Sequence, residues 1–227
     1  MREIVLDTET TGLDPVNGDR LVEIGCVELV NHVATGRALH LYINPERPMS
    51  PEAEAVHGLG DDFLADKPLF ADVVEEFLAF VGDDPLVIHN AAFDMGFLNM
   101  ELRRLGRPAI ADRRAVDTLK IARRRFPGAQ ASLDALCRRY GIDNSNRVKH
   151  GALLDAELLA EVYLELRGGR QPGLTLAGDA SAEGEAGEIV VPEGVRPPRP
   201  HAPSAAELAA HEAFLDKLSD PLWRAAD

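Results

Sequence analysis

Two cysteines in 227 residues are too few for a disulfide framework, and their settings do not suit a metal pair. Cys26 lies in an apolar strand-like run and Cys137 on the apolar face of a helical segment, as buried thiols do. No apolar run approaches the roughly 18 residues of a membrane span. The first strand-like run starts almost at Met1 and leaves no space for a signal peptide, so a soluble cytoplasmic protein is expected. Positive charge is scarce too. Lys and Arg number 24 against 38 Asp and Glu, a net charge of −14 at pH 7 that argues against bulk electrostatic capture of nucleic acid. Residues 99–125 run against this trend, with nine basic and three acidic side chains. Solvent-wetted helix faces explain that stripe better than a phosphate track does.

What is present is periodicity. Ile4-Val5-Leu6 reads as a buried strand, Leu21–Val30 as a second and Arg37–Ile43 as a third, with turn-prone Asn31 and Gly36 between the last two. Short connections make these an antiparallel meander. Ser50-Pro51-Glu52 starts a helix, and residues 70, 73, 74, 77, 78 and 81 form a helical apolar stripe. Leu86–His89 and Ala115–Asp117 read as short strands, and 93–105, 132–140 and 153–166 as helices, with another running from Asp117 to near Phe126. Meander followed by alternating helix and strand predicts an α/β domain, a mixed sheet flanked by helices, over residues 1–169. Residues 170–203 have the Gly- and Pro-rich composition of a linker, and 204–227 a short helix opened by the capping box Ser204-x-x-Glu207.

The polar residues carry the chemistry. Asp7 and Glu9, two apart on a strand, face the same side, and two adjacent carboxylates there call for a cation. Oxygen donors without Cys or His favour magnesium or manganese. Taken alone, an Asp-x-Glu at a strand end is more often solvated loop. His89-Asn90-Ala91-Ala92-Phe93-Asp94 is a strand end, a turn and a helix start, and His150-Gly151-Ala152-Leu153-Leu154-Asp155 places a carboxylate in a first helical turn. Singly, Asp94 and Asp155 suit dipole-favoured helix termini. Together, four carboxylates and His150 supply what two divalent ions about 3.5–4 Å apart and one general base require.

LDTETTG, HNAAFD and HGALLDA, in that order and spacing, closely resemble the DEDDh family of 3′–5′ exonucleases, in particular the proofreading nucleases of bacterial replicases. The resemblance covers residues 3–167. It implies a ribonuclease H-like fold with a five-stranded mixed sheet. Asp7, Glu9, Asp94 and Asp155 would then be metal ligands and His150 the base. Val56, His57 and Phe93 would line the terminal-nucleotide pocket, with Asp7, Glu9 and Asp155 also touching substrate. In the tail, Gln171, Leu174 and Leu176 resemble a sliding-clamp (beta) peptide. Residues 204–227 resemble the segment that binds the DNA polymerase III alpha subunit, through Phe214, Leu215, Leu218, Leu222 and Trp223. Trp is a favoured interface anchor, and this one lies beyond a linker. The expected function is removal of mispaired DNA 3′-terminal nucleotides as monophosphates, in a cytoplasmic, nucleoid-associated replisome. Its rivals are an RNA-trimming exonuclease of the same family and a non-catalytic clamp–polymerase adaptor.

Overall fold

The computed structural model describes residues 1–147, 149–169 and 202–219. They belong to two units, divided between Leu174 and Thr175. In the first, β1 (Arg2–Thr10), β2 (Leu21–Val30) and β3 (Val33–Tyr42) form the meander. The helices α1 (Pro51–His57), α2 (Asp61–Leu64) and α3 (Phe70–Val81) follow. Then come β4 (Leu86–Ile88), α4 (Ala92–Arg104), β5 (Ala115–Asp117), α5 (Thr118–Arg125), α6 (Leu133–Tyr140) and α7 (Ala152–Leu166). The sheet order is β3-β2-β1-β4-β5, with β4 and β5 parallel to β1.

As the central strand, β1 must be apolar on both faces. Ile4, Val5 and Leu6 are wholly buried, and their side chains divide by the two-residue period. Ile4 and Leu6 join Phe70 and Phe77 of α3 and Phe97 of α4. Val5 joins Leu136 of α6 and Leu159 and Val162 of α7. One strand thus holds two cores apart, and the helix stripe over 70–81 buries Phe70, Val73, Val74, Phe77 and Val81, with Leu78 half-buried against the same core. Cys26 and Cys137 are buried free thiols.

The third strand departs from expectation. It begins at Val33, because Asn31 and His32, at φ 52° and 66°, close a two-residue hairpin. Gly36 lies inside β3, opposite Glu28, where the register shifts, so its positive φ serves a bulge and not a turn. The one-turn helix α2 was too short to show a period; its Leu64 packs with Val22 and Met49. Much of the basic stripe is structural. Arg114 donates to the carbonyls of Gly82 and Asp84, Arg125 to that of Leu166, and Arg107 pairs with Glu75.

α7 is fastened at its far end by a buried carboxylate. Glu3 accepts from the Tyr163 hydroxyl at 2.7 Å and lies 2.6 Å from His32 Nδ1. Tyr163→Phe leaves that Glu3 oxygen without its donor, which costs about 1–3 kcal/mol. The expected result is a lower urea midpoint at unchanged slope; an unaltered midpoint would show that the bond adds nothing.

In the second unit, α8 (Ala205–Leu215) carries the predicted capping box: Glu207 donates its N–H to Ser204 Oγ and accepts from the Ser204 N–H. Phe214 and Leu218 are exposed and Leu215 is buried, so these three do not share one open face. Gln171, Leu174, Leu176, Leu222 and Trp223 lie outside the described residues. No helix among the described residues is long and apolar enough to cross a membrane.

Candidate active site

Past Leu6 the alternation of β1 continues in polar residues. Asp7 and Glu9 follow Val5 on the α7 side, and Thr8 follows Leu6 on the α4 side. There the buried Thr8 hydroxyl donates to Asp94 Oδ1 at 2.8 Å. Asp94 reaches this point because Asn90, at φ 66°, turns the chain sharply out of β4 into the first turn of α4.

Asp155 stands in the first turn of α7, and a glycine admits that turn. Gly25 pairs with Asp7 across the sheet, and a Cβ there would sit 2.2 Å from the Ala152 carbonyl carbon. Any side chain at residue 25 would push α7, and Asp155 with it, off the strand that carries Asp7. His150, just before α7, is tied to the end of α1. Its N–H donates to the Val56 carbonyl at 3.2 Å, and the Lys149 ammonium donates to that of Ala55 at 2.7 Å.

The eight predicted nuclease-site residues, Asp7, Glu9, Val56, His57, Phe93, Asp94, His150 and Asp155, line one cleft of about 1140 Å³. Glu9, His150 and Asp155 each offer a ligand atom, and these lie within 4.8 Å of one another. On the cleft wall Val56 is exposed, while Phe93 is partly buried, its ring 5.0 Å from Phe97. Buried His57 accepts from the Leu59 N–H at Nδ1, so its ring proton belongs on Nε2. His89 bonds the Thr118 hydroxyl at 2.9 Å, a structural link.

Electrostatics make this floor costly. Burial, then the charges of Asp94, Glu9 and Asp155, pushes Asp7 well above the usual carboxylate range. Burial and the neighbouring Glu23, Asp155 and Asp94 raise Glu9 to about 8. Asp94 rises to about 7, chiefly by burial, although the Thr8 hydrogen bond opposes this. Asp155 is buried as well, yet the hydrogen bonds and positive charge of Arg147 hold it below its ordinary value. Crowded oxygen donors whose ionised forms destabilise one another are a fitting set for hard divalent cations, which would relieve the repulsion.

Three contributors escaped the sequence reading. Arg147 sits on Asp155, Glu23 lies across the sheet from Glu9, and Thr8 orients Asp94. The spacing Arg147-x-x-His150 offered a trace of the first, and only strand pairing reveals the second. Gly25, a glycine within an apolar strand, was a readable sign of close backbone approach.

The exonuclease family model of the RNase T type matches residues 4–163. The chain is 49% identical over 222 residues to the DNA polymerase III subunit epsilon of Rickettsia prowazekii, covering 96% of this chain and 97% of that one. With the subunit of the same name from Escherichia coli K12 the identity is 46% over 238 residues, 99% and 98% of the two chains. Among solved structures it resembles Exonuclease X in complex with 5′ overhanging duplex DNA, at 28% identity and TM-score 0.59, over 73% of this chain and 90% of that one. The nuclease domain of 3′hExo, a DEDDh family member bound to rAMP, shares the fold, with TM-score 0.63 at 19% identity over 73% and 90% of the two chains. By sequence along nearly its whole length, the chain belongs to the exonuclease family, and within it to the DNA polymerase III epsilon subunits.

Proposed function

We propose that this chain is the proofreading 3′–5′ exonuclease of a bacterial replicative polymerase, removing mispaired 3′-terminal nucleotides from DNA as monophosphates. The observation that carries the reading is the meeting of Asp7, Glu9, Asp94, Asp155 and His150, distant in sequence, in one cleft. Divalent ions held by these carboxylates, magnesium or manganese, would polarise the scissile phosphate and its attacking water. The remaining work belongs to the chain. Thr8 fixes Asp94 by its hydroxyl bond, and the glycine contact at Gly25 fixes where Asp155 stands. His150, partly open to solvent and anchored by its backbone to Val56, takes the proton of the attacking water. Phe93 and Val56 offer apolar surface to the terminal base, and buried His57 backs the wall beside them.

Discrimination follows from the substrate. A mispaired end has lost pairing and stacking, so separating it costs less, and the site needs no base readout. The acidic chain is consistent with this, since a polymerase partner holds the DNA. We assign that contact to the segment 204–227, with Phe214, Leu218, Leu222 and Trp223 as anchors, and a clamp contact to Gln171, Leu174 and Leu176. Tethering by residues 170–203 would replace intrinsic DNA affinity with effective concentration. The test is a paired assay on matched and mismatched primer ends, with an RNA control, in magnesium and in EDTA. Faster hydrolysis of the mismatched DNA end, lost in EDTA, is expected. Preference for RNA, or hydrolysis that persists in EDTA, would overturn the reading.

A further inference from the structure

Arg147 grips Asp155 with two short bonds: Nε lies 2.6 Å from Oδ1 and Nη2 lies 2.6 Å from Oδ2. This is the bidentate fork of a strong guanidinium–carboxylate pair. The two side chains are only 8% and 3% exposed, so water screens the contact poorly. Nη1 also reaches Asp134 Oδ1 at 3.0 Å, and Nη2 stands 2.9 Å from His150 Nδ1.

These contacts conflict with the metal-binding role given to the same carboxylate. Both Asp155 oxygens already have a charged donor, so a cation on that edge has to displace it. Charge points the same way. Asp7, Glu9, Asp94 and Asp155, once ionised, carry four negative charges, which two divalent ions neutralise without help from a guanidinium. His150 is affected as well. A guanidinium N–H only donates, so Nδ1 accepts and a neutral imidazole keeps its proton on Nε2. Arg147 meanwhile has another carboxylate within reach, since Asp134 is 41% exposed on its side chain and already bonded to Nη1.

We propose that Arg147 is a latch that competes with divalent metal for Asp155, a positioning residue that holds Asp155 and His150 together until an ion takes its place and it falls back on Asp134. The inference rests on the metal-site reading above. Its energetics are those of two mutually exclusive ligands: whatever Arg147 contributes to the metal-free protein is subtracted from metal affinity. The arginine thus stabilises a cluster of carboxylates that would otherwise repel one another.

The experiment uses the full chain as wild type, Arg147→Gln and Arg147→Lys. Mn2+ binding is titrated by electron paramagnetic resonance, and thermal midpoints are measured in EDTA and in saturating Mn2+. Arg147→Gln should bind Mn2+ about tenfold more tightly than wild type. Arg147→Lys should fall between them, because an ammonium cannot hold both oxygens in a fork. The Gln variant should melt below wild type in EDTA, and the gap should close in Mn2+. Equal or weaker Mn2+ binding by Arg147→Gln, or a gap that Mn2+ leaves unchanged, would overturn the latch. If the Gln variant does not fold, the Lys variant decides by the same criteria. Failure of the wild type itself to bind Mn2+ would overturn the metal site, and the latch with it, and is distinguishable because failure of the latch alone leaves wild-type binding intact.

Discussion

Asp7→Asn should lower magnesium-dependent hydrolysis of a DNA 3′ end by on the order of a thousandfold or more, the scale reached when a group that stabilises transition-state charge is removed. The same substitution should raise the thermal midpoint in EDTA. Burial and three neighbouring carboxylates keep the Asp7 carboxyl well above its ordinary range, so the fold carries this charge at a cost. An amide of the same shape removes the cost, and each kcal/mol regained is worth about 2–4 °C in a protein of this size. Opposite movements of rate and stability identify a residue kept for chemistry. Loss of both would make Asp7 a structural residue, and retention of full activity would remove it from the metal site.

His150→Ala should slow turnover by about 10² to 10⁴, the usual contribution of a general base. His150 also stands close enough to Glu9 and Asp155 to act as a ligand, so the same variant must be titrated with Mn2+. Single-turnover rates should fall while the Mn2+ dissociation constant stays within about threefold of wild type, less than the 10–100-fold expected when even an outer partner of a metal site is lost. A tenfold weaker affinity with a rate restored at high Mn2+ would instead make His150 a ligand. An unchanged rate would remove it from the reaction.

The parts of the fold that sequence displayed are those governed by a repeating interval. The stripe over 70–81 and the apolar run Ile4-Val5-Leu6 announce elements that burial then confirms. The start of β3 was not legible, because the signs of a turn at Asn31 and Gly36 are the same whether a glycine ends a strand or bulges within one. In the site, carboxylates betray themselves by local context: a strand end for Asp7 and Glu9, helix starts for Asp94 and Asp155. Arg147 does not, because nothing near it in sequence says which carboxylate it will meet; only the docking of α7 decides that. The hydroxyl of Thr8 is similar, since its partner comes from 86 residues away.

Gly25 and Glu3 together have a consequence for synthesis. The final helix of the nuclease unit is seated by the bare backbone at Gly25 near its start and by the Tyr163 hydroxyl on Glu3 near its end. Both seats are made of early residues, and the element that fills them is the last of the nuclease unit to leave the ribosome. A growing chain whose first strands have already paired therefore has no Asp155 in place, and the proposed metal cleft stays incomplete until the closing helix of that unit drops into a berth prepared by its first strands.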